Sequence, residues 1–204
     1  GITVNETYFY RELSQFEVLV NHILPKLHKI RPKDKPLRIL SAPSSTGEEP
    51  YSMILHILEE DKVVNERDIE VVGIDIDSTV IEKAKAAKYT NRSVHAIPKS
   101  VLGKYFKKGH MGYELIDDLK GTVDFKVVDI FDRADVRKLG KFDVIFSRNM
   151  LIYFDDASRK DVAMTFYDML NPNGYVCLGH AEYMSRIVSV FEAEKVGSSL
   201  IYKK

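Results

Sequence analysis

Hydrophobic residues follow two alternating patterns along the chain. Short runs rich in Val, Ile and Phe have the length and composition of buried strands. These runs are LRILSA (37–42), EVVGIDI (70–76), TVDFKVVDIF (122–131), FDVIFS (142–147) and GYVCLGH (174–180). Between them, apolar residues recur every three or four positions, as on one face of a helix. These helical segments are 12–24, 47–59, 77–89 and 158–170. The alternation predicts an α/β fold, a parallel sheet covered by helices.

Two parts of the chain depart from this alternation. The stretch from Tyr89 to Gly121 is too long for an ordinary helix-to-strand connection. It holds a predicted short helix, PKSVLGKYF, and then a strand and turn in YELIDDLKG. The tail VFEAEKVGSSLIYK predicts an antiparallel hairpin around Gly197 and Ser198. We therefore expect a methyltransferase-type (Rossmann-like), doubly wound and mostly parallel sheet with a C-terminal antiparallel hairpin and a small inserted β-subdomain.

Composition and charge narrow the class of protein. The 204 residues suit one domain and carry 30 Lys and Arg against 30 Asp and Glu, a net charge of zero. Such a balance argues against nucleic acid or an anionic membrane surface as the main partner. Cys177 is the single cysteine, which excludes an intrachain disulfide and favours a reducing compartment, so we expect a cytoplasmic protein. The six histidines form no HxxxH or HxH pair, and we expect no metal site.

The segment between the first strand and its helix, SAPSSTGEEPYS (41–52), carries two carboxylates, Glu48 and Glu49, at the helix start. It matches neither GxGxxG nor a phosphate-binding GK[ST] loop. Carboxylates at a helix amino terminus repel phosphate and tolerate a cation. Alternatively, the two acids only complement the helix dipole, with Pro50 placed favourably early in the helix.

Two further strand ends carry polar groups. Asp75 ends the second strand, where a carboxylate can accept both hydroxyls of a ribose, and Asp77 can cap the next helix. Ser147 and Arg148 follow the strand FDVIFS, and a buried arginine is costly unless it is ion-paired or functional. Ligands bind at the carboxyl ends of such strands. Together these ends suit a nucleoside-bearing cofactor with a positive charge and no phosphate, as in S-adenosylmethionine.

Several blocks of the sequence resemble one family, the CheR methyltransferases of bacterial chemotaxis. These blocks are TVNETYFYRE (3–12), SAPSSTGEEPYS (41–52), GIDID (73–77) and SRNMLIYFD (147–155), supported by LNPNGYVCLGHAE (170–182). They occur in the family's order and span nearly the whole chain. The resemblance implies transfer of a methyl group from S-adenosylmethionine to receptor glutamates, which leaves S-adenosylhomocysteine as product.

The resemblance also implies roles for individual residues. The positions that match cofactor contacts of the family are Asn5, Thr7, Arg11, Glu49, Asp75, Asp129, Ile130, Ser147 and Arg148. The arginine of the first block and the tyrosine of the last are expected at the methyl-transfer centre. These two positions are Arg11 and Tyr153.

The domain organisation expected from the resemblance has two parts. Residues 1–36 form a cofactor-contacting segment and helix, and residues 37–204 form the methyltransferase domain, with a small β-subdomain at about 107–121. The family's amino-terminal helical domain, whose basic face meets the receptor, is expected to lie outside this sequence. The expected partner is a chemotaxis receptor's cytoplasmic domain. In some members the β-subdomain also binds a receptor's carboxyl-terminal peptide by strand addition.

The chemistry requires little from the protein beyond positioning. A glutamate with a pKa near 4.3 is ionised at pH 7 and can attack a sulfonium methyl without a general base. Three alternatives remain open: a non-catalytic S-adenosylmethionine-binding sensor or adaptor, methylation of another protein's carboxylate, and methylation of a small molecule. A nicotinamide-dependent oxidoreductase is disfavoured because the first loop lacks GxGxxG and carries carboxylates.

Overall fold

The structure is a computed structural model of the chain. It describes residues 7–60, 63, 66–148, 154–179 and 190–204. Numbered in chain order, the strands of these residues are β1 (Leu37–Ser41), β2 (Ile69–Asp75), β3 (Lys88–Tyr89), β4 (Phe106–Gly109), β5 (Gly112–Leu115), β6 (Val123–Val127), β7 (Phe142–Ser147), β8 (Leu170–Leu178), β9 (Glu192–Val196) and β10 (Ser199–Lys203). The α-helices are α1 (Leu13–Val18), α2 (Leu24–Ile30), α3 (Glu48–Glu60), α4 (Ser78–Ala86), α5 (Lys99–Tyr105), α6 (Arg133–Lys138) and α7 (Asp156–Met169).

Seven strands form the main sheet in the order β6-β2-β1-β7-β8-β10-β9. The first five are parallel, and β10 runs antiparallel to both β8 and β9. This confirms the predicted mostly parallel sheet with a terminal antiparallel hairpin. The chain leaves β1 towards β2 on one side and returns to β7 on the other. Strand order therefore reverses at β1, and ligands of open α/β sheets bind beside such a point, at the carboxyl ends of the strands.

The central strands are buried because helices cover both faces of the sheet. All six residues of β7 are buried. Consecutive residues alternate between two hydrophobic cores, as strand geometry requires: Val144 points to one core and Ile145 to the other. The core on one face is completed by α1–α5, and the other by α6 and α7. Such double burial explains why these strands read as continuous apolar runs.

The amino-terminal helical segment is longer than the sequence pattern predicted. It runs from Leu13 to Ile30, and a π-helical turn, Leu19–Ile23, joins α1 to α2. Glu194 in β9 anchors this segment to the terminal hairpin: its carboxylate lies 2.9 Å from His22 Nε2 and 3.1 Å from Lys26 Nζ. The helices are thereby fixed beside the sheet.

A second, antiparallel sheet has the order β3-β5-β4. The helix expected to run towards Tyr89 instead ends at Ala86, because Ala87 adopts a left-handed conformation (φ 54°) and the chain enters β3. Gly112 is required where β5 approaches β3: its φ is +143°, and a Cβ there would lie 2.1 Å from the Tyr89 carbonyl oxygen. The strands of this sheet lie between residues 88 and 115.

Two local features differ from the sequence prediction. Helix α6 was not predicted; Asp132 caps it by accepting a hydrogen bond from the Asp135 backbone N–H at 3.2 Å. Strand β8 begins at Leu170, ahead of the predicted run GYVCLGH, and its pairing with β7 shifts register between Phe142–Leu170 and Val144–Tyr175. No helix in the described part of the chain has the length and apolar character needed to cross a membrane.

Candidate active site

Two adjoining cavities open at the carboxyl edge of the main sheet, where its strand order reverses. The polar cavity, about 320 Å³, is lined by Thr7, Tyr8, Arg11, Pro43, Ser44, Ser45, Glu49, Asp75 and Arg148. The apolar slot, about 190 Å³, is lined by Ala42, Pro43, Ile74, Asp75, Ile76, Val128, Asp129, Ile130, Phe131 and Phe154. Pro43 and Asp75 belong to both walls, so the two cavities lie side by side.

Asp75 stands at the junction of the two cavities and is held by backbone groups. Its Oδ2 accepts from the Ser45 N–H at 3.0 Å and its Oδ1 from the Asp77 N–H at 3.0 Å. Each carboxylate oxygen can accept a second hydrogen bond. The orientation is therefore fixed while acceptor capacity remains for a diol. Asp77 caps α4 through the Thr79 N–H at 2.8 Å, as the sequence predicted.

Arg148 reaches from the end of β7 into a network of charges. Its Nε donates to Glu49 Oε2 at 2.6 Å, and its Nη1 lies 3.3 Å from Glu12 Oε2. The guanidinium also stacks over the Phe16 ring, 4.8 Å from its centroid. Glu49 in turn accepts from the Ser41 hydroxyl at 2.9 Å. The ion-paired alternative for Arg148 is thus realised, and the same side chain also lines the polar cavity.

The expectation that both carboxylates at the start of α3 face the ligand cavity is wrong. Glu48 is buried, and its carboxylate accepts from the Thr46 hydroxyl and from the Ser93 hydroxyl at 3.4 Å. Burial raises the pKa of Glu48. Only Glu49 faces the cavity, and Arg148 balances its charge. The described walls therefore present two arginines and two carboxylates, a set that suits a zwitterion as well as a cation.

The amino-terminal segment closes one side of the polar cavity. Phe9 is fully buried, and its N–H donates to the Ser93 carbonyl at 2.9 Å. The Phe9 ring packs edge-on against the rings of Tyr89 and Phe106, with centroids 4.8 and 5.3 Å away. This anchor brings Thr7, Tyr8 and Arg11 to the cavity wall.

The apolar slot has the shape and lining that suit a planar heterocycle. Asp129 and Ile130 follow β6, and Asp129 Oδ1 accepts from the Phe131 N–H at 2.9 Å. The rings of Phe131 and Phe154 meet at the slot, with centroids 5.3 Å apart and planes at 70°. The slot thus offers aromatic faces beside the carboxylates of Asp75 and Asp129.

The structure brings most of the expected site residues to one place. Those lining the polar cavity are Thr7, Arg11, Glu49, Asp75 and Arg148, and those lining the slot are Asp129 and Ile130. Ser147 lies behind the wall, fully buried, and its hydroxyl has no hydrogen-bond partner among the described residues. Asn5 and Tyr153 lie outside the described residues.

Sequence reasoning missed several lining residues. They are Tyr8, Pro43, Ser44, Ser45, Phe131 and Phe154. Only their position in the sequence indicated them: each lies at the end of a predicted strand or within one of the sequence blocks that resemble the CheR family. Cys177, the single cysteine, is buried in β8, where desolvation raises the pKa of its thiol. No group of three metal-ligating side chains occurs in the described part of the chain.

The fold and the site together define a class. Numbered along the chain, the main-sheet strands follow the order 3-2-1-4-5-7-6. The second of them ends in Asp75, whose carboxylate lies between a mixed-charge cavity and an apolar slot. A site of this kind at this edge of the sheet suits a nucleoside cofactor that also carries charged groups, such as S-adenosylmethionine. The protein is an S-adenosylmethionine-dependent methyltransferase.

Comparison with known sequences gives the family. The sequence profile of the CheR methyltransferase SAM-binding domain matches residues 5–199, and the chain belongs to this family. It is 46% identical to chemotaxis protein methyltransferase 2 of Vibrio cholerae, an alignment that covers 100% of this chain and 71% of that protein. It is 35% identical to a chemotaxis protein methyltransferase of Campylobacter jejuni, over 92% of this chain and 67% of the relative.

Solved structures agree on the fold. The CurJ carbon methyltransferase superimposes with a TM-score of 0.56 at 13% identity, over 96% of this chain and 56% of that one. The magnesium protoporphyrin IX methyltransferase of Synechocystis, solved with bound S-adenosylmethionine, superimposes with a TM-score of 0.50 at 11% identity, over 94% of this chain and 78% of that one. At such identities the likeness concerns the fold alone.

Proposed function

We propose that this chain methylates glutamate side chains in the cytoplasmic domain of a chemotaxis receptor, forming methyl esters. The observation that carries the proposal is that Arg11 and Asp75 line the same cavity. The guanidinium of Arg11, which can bind an acceptor carboxylate, therefore lies in the same cavity as the carboxylate of Asp75, which can bind the cofactor. Relatives named chemotaxis protein methyltransferases support the choice of a receptor as substrate. The protein would act in the cytoplasm, where that receptor domain lies.

In this proposal, Asp75 accepts the ribose hydroxyls and the slot bordered by Asp129 and Ile130 receives the adenine. Thr7 and Glu49 border the amino-acid part of the cofactor in the polar cavity. Asn5, Ser147 and Arg148 are assigned to cofactor binding by the family resemblance. The two cavities support this placement because they join at Asp75 and differ in polarity.

When bound, S-adenosylmethionine supplies a methyl group on a positively charged sulfur, which an ionised carboxylate attacks directly. Arg11 would bind the acceptor carboxylate through its planar fork of donors and direct one oxygen towards the methyl group. Alignment of two reactants can lower the barrier by about 7–11 kcal/mol. Tyr153 is proposed, from the resemblance, to border the methyl's path and limit the entry of water.

A transfer assay tests the proposal. The chain, S-adenosylmethionine tritiated in its methyl group and a receptor cytoplasmic fragment should give labelled receptor, and mild base should release the label as methanol. A fragment whose acceptor glutamates are changed to alanine should remain unlabelled. Base-stable label, or label on the changed fragment, would contradict glutamate esterification. Cofactor binding without any transfer would favour the adaptor alternative.

Arg11→Ala tests the role of Arg11 within this assay. We expect kcat to fall by about 100-fold or more, because the acceptor is no longer aligned. The dissociation constant for S-adenosylhomocysteine should rise much less. An equal loss of turnover and of cofactor affinity would show that Arg11 binds the cofactor and does not direct the acceptor.

The small sheet supports a second contact with the receptor. Strand β4 pairs only with β5 in the described residues, which leaves an edge to which a peptide strand can add. A cavity of about 520 Å³ beside it is bordered by Lys88, Lys107, Lys108 and His110. These groups favour an acidic peptide with a free carboxyl terminus. Calorimetric titration with a receptor's carboxyl-terminal peptide should give saturable binding that the amidated peptide weakens.

A further inference from the structure

The backbone around Arg11 is held on both sides by buried side chains. The Tyr10 N–H donates to Ser52 Oγ at 3.1 Å, and the Arg11 carbonyl accepts from Arg148 Nη1 at 2.8 Å. The residues flanking Arg11 have positive φ angles, 67° at Tyr10 and 54° at Glu12. Residues other than glycine seldom adopt this conformation, which persists only where surrounding contacts enforce it.

Ser52 is suited to hold the first of these peptide groups. It lies in α3 with no exposed surface. Its hydroxyl donates to the Glu48 carbonyl at 2.6 Å, so the hydrogen is committed and an oxygen lone pair remains for the Tyr10 N–H. The position of Tyr10 is also supported by His56, whose ring lies 4.4 Å from the Tyr10 ring. Helix α3 thus determines where the segment before Arg11 lies.

Arg148 holds the second peptide group. The side chain of Arg148 is only 5% exposed, and its donors are directed to Glu49, Glu12 and the Arg11 carbonyl. Phe16 supports the guanidinium plane from one side. These contacts of the guanidinium are thus made to the protein, and two of the three reach the segment that carries Arg11.

We infer that Ser52 and Arg148 are positioning residues for Arg11. They fix the peptide groups before and after Arg11, so that its side chain is presented to the polar cavity in one direction. The inference rests on the proposed function, in which Arg11 directs the acceptor carboxylate. It assigns Ser52 a role in the reaction, and it makes the guanidinium of Arg148 a support of Arg11.

The test compares two buried hydroxyls that donate to a carbonyl four residues earlier in a helix. Ser52→Ala removes the one that contacts Tyr10, and Thr165→Val removes the other, which donates to the Asp161 carbonyl at 3.0 Å in α7. In the transfer assay, Ser52→Ala should lower kcat by about 10- to 100-fold, as expected for a displaced reacting group. The dissociation constant for S-adenosylhomocysteine should change less than about threefold, a factor small against that loss. Thr165→Val should leave both values unchanged.

Arg148→Lys provides a second, independent variant. A lysine keeps a positive charge opposite Glu49 but lacks the planar fork that also reaches the Arg11 carbonyl. Because Arg148 also lines the polar cavity, we expect some loss of affinity for S-adenosylhomocysteine and a clearly larger loss of kcat. A loss of affinity as large as the loss of kcat would make Arg148 a cofactor ligand and overturn its positioning role. If Ser52→Ala fails to fold, Arg148→Lys carries the test.

The Arg11→Ala background separates this inference from the proposed function. If Ser52 and Arg148 act through Arg11, either substitution should leave the residual kcat of Arg11→Ala unchanged. A further, additive loss would overturn the inference while the role of Arg11 stands. If Arg11→Ala alone leaves kcat unchanged, the proposed role of Arg11 fails, and the positioning role fails with it.

Discussion

Asp75→Asn is the substitution that addresses cofactor binding most specifically. The carboxylate of Asp75 already accepts the Ser45 and Asp77 N–H groups and has one acceptor position left on each oxygen. The amide of asparagine retains one oxygen and replaces the other by an NH2 group. That NH2 group cannot accept a ribose hydroxyl and would also face a backbone N–H donor.

Asp75→Asn should lower the binding free energy of the cofactor through two hydrogen bonds. A hydrogen bond to a charged acceptor contributes about 1.5–3 kcal/mol. One such bond would be lost and the other would become a weaker, neutral one, so the total loss is about 2–4 kcal/mol. With 1.4 kcal/mol for each factor of ten, the dissociation constant for S-adenosylhomocysteine should rise by about 30- to 1,000-fold.

Calorimetric titration with S-adenosylhomocysteine measures this change, and Asp77→Asn is the matched control. Asp77 lies two residues away, caps α4 and does not line either cavity in the described structure. Its substitution should leave the dissociation constant nearly unchanged, because an asparagine also caps a helix. Equal constants for wild type and Asp75→Asn would refute the ribose assignment, as would equal losses in both variants.

Three further predictions concern stability, the small sheet and the slot. Burial lowers the pKa of His56 below its usual value of 6.5. The stability that neutral His56 contributes is therefore present above pH 6.5 and is lost as the pH falls through the lower pKa of the folded state. His56→Gln, which cannot titrate, should flatten the acid-side decline in the free energy of unfolding measured with urea, and an unchanged slope would contradict this. Gly112→Ala should break the pairing of β5 with β3 at a cost of about 1–3 kcal/mol, which would appear as faster amide hydrogen exchange at Tyr89. Gly109→Ala should not change this exchange, because a Cβ at Gly109 would meet nothing nearer than 3.7 Å. Equal exchange in both variants would refute the close approach of β5 to β3. Phe131→Ala should weaken S-adenosylhomocysteine binding about tenfold by removing an aromatic face from the slot, and unaltered affinity would argue that adenine does not bind there.

The main sheet could be predicted because a buried strand appears in the sequence as a local run of apolar residues. Strand β7 is covered on both faces, so apolar residues dominate it and it appears in the sequence as one hydrophobic run. Asp77 could be assigned as a helix cap because a cap acts on backbone groups two residues away. By contrast, α6 is six residues long and mostly polar, so its periodicity is too short to detect.

The site could be predicted only in part because its charges meet across the chain. Glu49 and Arg148 are 99 residues apart in sequence, and their pairing changes the charge expected at the start of α3. The contact of Arg148 with the Arg11 carbonyl spans 137 residues. The buried carboxylate of Glu48 also accepts from Ser93, which lies 45 residues further along the chain, between β3 and α5. Such long-range contacts leave no spacing pattern that a single sequence can display.

A crystal structure of the chain with S-adenosylhomocysteine tests the central claim most directly. We expect the ribose hydroxyls within hydrogen-bonding distance of Asp75, the adenine between Ile130 and Phe131, and the sulfur facing the side of the polar cavity that Arg11 lines. Ligand density at any other surface, or an adenine outside the slot, would contradict the account of how this site binds its cofactor.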